Sequence, residues 1–159
     1  MNNTAIETEN KRDLQLTRMI DAPREKVWRA WTEPELMKEW FAPKPWTTAE
    51  VRLDLRAGGS NLIVMQDLQG NRYPNQGVYL EVVENERLVF TNAYTKAWEP
   101  SEKPFMTAII TLQDEGGKTR YNAHVWHWTA EDREVHEKMG FYEGWGQCAD
   151  QLAELVKTI

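Results

Sequence analysis

Residues 21–43 read DAPREKVWRAWTEPELMKEWFAP, and they punctuate the chain twice. Asp21 followed by Pro23 marks a helix start. Val27, Ala30 and Trp31 then recur at three and four, which predicts a short amphipathic helix. Thr32-Glu33-Pro34-Glu35 has the pattern of a capping box. It opens a second short helix with Leu36, Met37 and Trp40 as its apolar side. Pro43 and Pro45 end that helix.

On either side the period changes to two. Leu14, Leu16 and Ile20 alternate with polar neighbours, predicting a strand over 13–20. Downstream, strands are expected at 47–55, 61–67, 73–83, 87–95, 105–113 and 118–128. Turn chemistry separates several of them, at 57–60, 70–71, 84–86 and 114–118. Residues 96–104 read as a loop carrying Trp98. Thr129 and Asp132 form another capping pattern, opening a helical tail that runs to Ile159. Strands in series with segregated helices indicate an α+β fold with an antiparallel sheet.

Such a sheet needs one face covered, and the terminal helix is the element long enough to do it. On a helical wheel Phe141, Trp145, Cys148, Leu152, Leu155 and Ile159 form a bulky row. Gly146, Ala149 and Ala153 form a smooth row beside it, while Glu143, Gln147, Asp150, Glu154 and Thr158 take the far side. The glycine-rich stretch 140–147, GFYEGWGQ, does not suit a phosphate loop. No strand leads into it, no Lys-Ser/Thr pair follows it, and Glu143 sits inside it. Gly140 and Gly144 fall on the polar flank, where a bend or the true helix start is expected. Gly146 lets the helix approach the sheet.

Composition narrows the function. The chain has 159 residues, a net charge of −6, one cysteine and eight tryptophans. That length suits a single domain, expected over 13–159, after a polar, flexible N-terminus at 1–12. Lys and Arg never run beyond a pair, which argues against nucleic acid. No apolar run reaches the ~18 residues a membrane span needs, and the N-terminus lacks a secretory pattern. A lone Cys148 forms no intrachain disulfide and suits a reducing cytoplasm. Eight tryptophans call for a large core, a cavity lining or an interface.

Catalytic and metal motifs are scarce. His124 and His127 are three apart on one strand and point to opposite faces, so they cannot share an ion. His136 lacks the second histidine of a zinc-protease pair, and one cysteine builds no zinc cluster. No metal or cofactor is expected. Neither Ser60 nor Ser101 sits in a nucleophile elbow, and Cys148 reads as a buried small hydrophobe. Glu81 shares a face with Tyr79 and Val83, and Val78, Leu80 and Val82 share the other. Either face suits the interior, and a solvated Glu81 avoids the cost of an unpaired carboxylate.

RMIDAPREKVWRAW at 18–31, its continuation to Pro43, DLRAGG at 54–59, ERLVFT at 86–91, GKTR at 117–120 and Gly144-Trp145 occur in one order over roughly 14–157. That series resembles the START-like (SRPBCC) superfamily of lipid-transfer and polyketide-cyclase proteins. Within it, the chain is similar to the branch named after the activator of a heat-shock-protein ATPase. The resemblance implies a helix-grip fold: a curved seven-stranded antiparallel sheet wrapped on the C-terminal helix, with two short helices closing one end. It also implies a cavity between sheet and helix that often takes an apolar small molecule. Relatives bind, transport, cyclise or serve as chaperone partners. The eukaryotic chaperone activators carry a separate N-terminal domain for that contact, where this chain has a dozen polar residues.

The family pattern turns Tyr121, Ala123, Val125 and His127 toward the cavity. His127 would then be a polar anchor or general base, or a histidine satisfied by a backbone carbonyl. Trp126 and Trp128 would face outward as a patch suited to a homodimer. Trp40, Trp46, Phe90, Tyr94, Trp98, Phe141 and Trp145 form a pool of candidate lining, joined by Met65 and Met139. The leading expectation is binding of an apolar or aromatic small molecule. A cyclase, hydrolase or lyase using His127 and a protein-interaction role are the alternatives.

Overall fold

The computed structural model describes residues 11–159, so the expectation for residues 1–12 falls almost wholly outside it. Nine strands and four helices follow in order. Strand β1 (Asp13–Ile20) leads to helices α1 (Arg24–Thr32) and α2 (Pro34–Met37). Strands β2 (Thr47–Leu53), β3 (Ser60–Gln66), β4 (Arg72–Val83), β5 (Arg87–Thr91), β6 (Tyr94–Lys96), β7 (Glu99–Pro100), β8 (Met106–Glu115) and β9 (Lys118–His127) come next. Helices α3 (Ala130–Lys138) and α4 (Phe141–Val156) close the chain.

Seven strands form one antiparallel sheet in the order β1-β9-β8-β5-β4-β3-β2, a meander with the first strand returning beside the last. Helix α4 lies across it and buries Phe141, Gly146, Ala149, Leu152 and Val156. This is the α+β helix-grip architecture. Its core joins the inward side chains of β1, β8 and β9 to Val27, Trp28, Trp31 and Met37 from the short helices and to Trp40 just after them, where the second helix was expected to continue. Each fully buried aliphatic side chain there stabilises the fold by about 1.5–3 kcal/mol.

Local chemistry explains where the elements depart from expectation. Strand β5 stops at Thr91 rather than continuing to 95. Asn92 Oδ1 accepts hydrogen bonds from the Phe105 and Met106 amides, both at 2.9 Å, and Thr91 Oγ1 accepts from the Ala93 amide. Those side-chain bonds lead the chain off the sheet, and β6 pairs with β7 in a small hairpin where a loop was expected. Thr32 is not a cap: its hydroxyl donates to the Trp28 carbonyl at 2.7 Å, and α2 starts on Pro34 without a side-chain cap.

A register shift between Tyr79 and Glu81 resolves the two-faced strand β4. One extra residue reverses the alternation, so Tyr79 and Val82 both pack on the core while Leu80 and Glu81 are exposed. Glu81 then forms an ion pair with Arg87 on the outer face.

The expected continuous tail is two helices. Gly140 sits at φ 99°, a left-handed conformation that glycine adopts without steric cost, and it caps α4. Gly146 accommodates a side chain rather than strand backbone. A Cβ there would lie 2.9 Å from Nη2 of Arg18, whose Nε is 3.6 Å from Asp150.

Candidate functional site

Between the sheet and α4 lies a cavity of about 360 Å³. One end of its lining is aromatic. The Trp31 ring centroid is 4.9 Å from that of Trp40, 5.7 Å from Phe90 and 6.0 Å from Phe41. Helix α4 fixes this end by satisfying the orphan carbonyls of the segment after α2. Gln151 Nε2 donates to the Trp40 and Ala42 carbonyls, each at 2.8 Å, and its Oε1 accepts from the Lys44 amide. Gln147, expected on the solvent side, donates to the Lys44 carbonyl at 3.0 Å.

Of the expected lining residues, Trp40, Met65, Phe90, Tyr121, Met139, Phe141 and Trp145 all reach the cavity. Four do not. Trp98 is 91% exposed, and Tyr94 stands with it on the β6–β7 hairpin, off the sheet. Val125 is fully buried in the core. His127 is 3% exposed and borders a smaller pocket of about 190 Å³ with Thr91, Met106, Trp126 and Trp128. Trp46, from the same aromatic pool, stacks on Tyr73 at 5.0 Å away from the cavity. Trp128 is 59% exposed, and Trp126 is half-buried beside His124.

Other walls lie outside the expected lining. Trp31, Phe41, Ile63, Phe105 and Cys148 all line the space. So does Gly144, which was expected on the polar flank. A Cβ built on Gly144 meets nothing within 4 Å, so the space beside it is open. His136 joins the wall from α3, with Phe105 at 5.2 Å, Phe141 at 5.0 Å and Trp145 at 6.3 Å between ring centroids. A single continuous helix gives no reason to place His136 there; the turn at Gly140 does.

The two histidines are joined. His127 Nδ1 lies 2.8 Å from the Arg12 carbonyl, which also accepts the His127 amide at 2.7 Å. His127 Nε2 lies 2.8 Å from His136 Nδ1. Both ring nitrogens of His127 are therefore engaged, leaving neither for a substrate. Burial lowers its pKa; the Arg12 carbonyl, Asp132 and Asp13 oppose that shift and Arg133 adds to it. Burial, with His127 adding to it, lowers His136 further, to about 4. Both rings are neutral at pH 7.

The remaining reactive groups are quiet. Burial pushes the Cys148 thiol up to about 12, and its Sγ donates to the Phe41 carbonyl at 3.1 Å, so it is no thiolate nucleophile. Burial likewise raises the Tyr121 phenol. Two donors on the wall are buried without hydrogen-bond geometry to any acceptor, Trp31 Nε1 and Asn61 Nδ2. For Trp31 the Tyr121 hydroxyl is the polar group close enough to sense its N–H. Among the described residues no group of three or more His, Cys, Asp or Glu could hold a metal ion, and no helix is long and apolar enough to cross a membrane.

The chain and its fold match a known family. The model of the family described as Activator of Hsp90 ATPase homolog 1-like protein matches residues 21–157. The chain belongs to this family. Among solved structures it is similar to a protein of Nitrosomonas europaea, at 48% identity and a TM-score of 0.89 over 92% of this chain and 95% of that one. A Chromobacterium violaceum protein is 25% identical, with a TM-score of 0.76 over 92% and 99% of the two chains. An AHSA1-like protein of Aeromonas hydrophila shares the fold at 20% identity, with a TM-score of 0.69 over 91% and 92%. No curated protein matches the chain significantly. Membership in this Hsp90-activator-like family, with its START-like fold, supports a ligand-binding or partner-binding domain.

Proposed function

We propose that this family member binds an apolar, ring-containing small molecule in the cavity between the sheet and α4. The observation that carries the reading is Gly144. A helix interior glycine costs about 1 kcal/mol relative to alanine, yet the missing Cβ here relieves no contact, because nothing lies within 4 Å of it. What it spares is space, in a cavity of about 360 Å³ walled by Trp31, Trp40, Phe90, Phe141 and Trp145. That volume falls within the range of small-molecule sites. An empty apolar cavity forfeits dispersion contacts on every side, and an apolar occupant restores them.

The test is to fill the space from the helix. Gly144→Leu has better helix propensity than the wild type and puts a bulky side chain at a position that lines the cavity. Wild-type protein is expected to bind anilinonaphthalene sulfonate saturably, with quenching of tryptophan emission. The Leu variant should keep its far-ultraviolet circular dichroism and lose affinity for the dye by at least about tenfold, corresponding to 1.4 kcal/mol. Equal binding by both proteins, or no saturable binding by the wild type, would sink the reading.

A further inference from the structure

His136 on the cavity wall and His127, its hydrogen-bond partner, form a relay whose protons can be assigned from its far end. The Arg12 carbonyl can only accept, so the nitrogen 2.8 Å from it, His127 Nδ1, carries a proton. A neutral imidazole holds one proton, so His127 Nε2 is bare and must accept. Its partner at 2.8 Å, His136 Nδ1, is therefore the donor. By the same count His136 Nε2, on the other side of Cε1 from Nδ1, carries a bare lone pair. That atom has no hydrogen-bond partner among the described residues. The ring that carries it sits against Phe105, Phe141 and Trp145, three residues of the cavity wall.

We infer that His136 Nε2 is a fixed hydrogen-bond acceptor facing the bound molecule, and that the cavity selects apolar ring compounds bearing a hydroxyl over those without one. This rests on the cavity being a ligand site. The relay explains why the selection has a direction. Reversing the His136 tautomer would oppose two bare nitrogens across 2.8 Å, and reversing both would leave the Arg12 carbonyl facing a lone pair. The ring can thus accept from a ligand but cannot turn to donate. Nor is it a proton store. With a pKa of about 4 it stays unprotonated at neutral pH, which suits an acceptor and makes a poor general base. A ligand hydroxyl can donate to this nitrogen and a methyl group cannot, so the hydroxyl compound gains one hydrogen bond.

The test compares 2-naphthol with 2-methylnaphthalene, the same rings with and without a donor. Each displaces anilinonaphthalene sulfonate from wild-type protein and from His136→Phe. The preference for 2-naphthol over 2-methylnaphthalene is expected to fall about five- to tenfold in the variant, as for one lost hydrogen bond. Because the preference is a ratio of two affinities within one protein, a general change in the cavity cancels from it. If both compounds displace the dye but the preference is unchanged by the substitution, the acceptor is wrong and the cavity reading stands. If neither compound displaces dye from the wild type, the cavity reading itself fails and carries the acceptor with it. Nitrogen NMR of wild-type protein gives a readout independent of how the variant folds. The His136 ring should show a protonated Nδ1 and a bare Nε2, with the Nε2 resonance moving on addition of 2-naphthol alone. A protonated Nε2 at neutral pH would overturn the proposal.

Discussion

The two C-terminal helices, separated by a turn at Gly140, are held by different forces. Helix α4 buries five residues and is part of the core; α3 buries none. Apart from the ring contacts of His136, the ties of α3 are polar: the Thr129 cap, Arg133 Nε to the Asp13 carbonyl at 3.1 Å, and His136 to His127. Both helices nevertheless wall the same cavity, α4 through Phe141, Gly144 and Trp145, α3 through His136 and the following Met139, which is 74% exposed. One wall is set by packing and cannot move without unfolding the sheet's cover. The other is pinned by a few hydrogen bonds, each worth about 0.5–1.5 kcal/mol, so it belongs to the low-stability end of the structure.

The largest expected effect tests the packed wall. Leu152 is fully buried beneath α4, so Leu152→Ala should cost about 2–5 kcal/mol in global unfolding. The matching change on α3, Val135→Ala, removes a side chain that is half exposed and should stay within about 0.5 kcal/mol. Urea denaturation of the two variants checks the pair. Comparable losses would mean that α3 is part of the cooperative core and that the contrast between the helices is false.

Acidification probes the polar wall. In the folded state His136 is held near 4 and His127 is also lowered, against an unperturbed value of about 6.5. Below 6.5 the unfolded chain binds protons that the folded pair does not, so the stability that depends on these two histidines falls as pH drops from about 6.5 toward 4. Denaturation midpoints across this range should show the decline, and His136→Phe should flatten part of it. A wild-type midpoint independent of pH over this window would contradict the neutral pair.

How much of this was legible beforehand depended on how far each signal reaches along the chain. The alternation in β9, with Tyr121, Ala123, Val125 and His127 buried, is a local pattern and reads directly. So do the bulky row of α4 and the two short helices, and together with the family motifs these carry the fold. The turn residues marked the edges of the strands less well. Asn92 ends β5 through the amides of Phe105 and Met106, thirteen and fourteen residues away, and no window of sequence shows that bond. The extra residue at Leu80 is equally silent, because both faces of β4 are apolar enough to pack. At the site, Trp40, Phe90, Phe141 and Trp145 stand out as aromatics on elements that must converge. His136 does not. Its role needs the left-handed Gly140, which folds α3 back over the cavity, and a carbonyl at Arg12 that is 115 residues from His127 in sequence. Trp98 misled for the opposite reason: its bulk suggests burial, but the hairpin that carries it leaves the sheet.

The smallest expected effect is the most selective, since it touches one helix alone. Thr129 caps α3 by accepting from the Asp132 amide at 3.0 Å, and a cap of this kind contributes about 1 kcal/mol. Because α3 has no buried residue to hold it, this loss should appear as local opening rather than as global unfolding. In Thr129→Ala, hydrogen exchange of the amides at 133–138 should quicken about fivefold, the factor that corresponds to 1 kcal/mol, while the α4 amides exchange as in the wild type. If α3 opens on its own, a bound ring compound bonded to His136 should restore the slow exchange, because the ligand binds only the closed helix. Uniform acceleration across both helices would show instead that the turn at Gly140 transmits the loss, and that the two walls of the cavity open together.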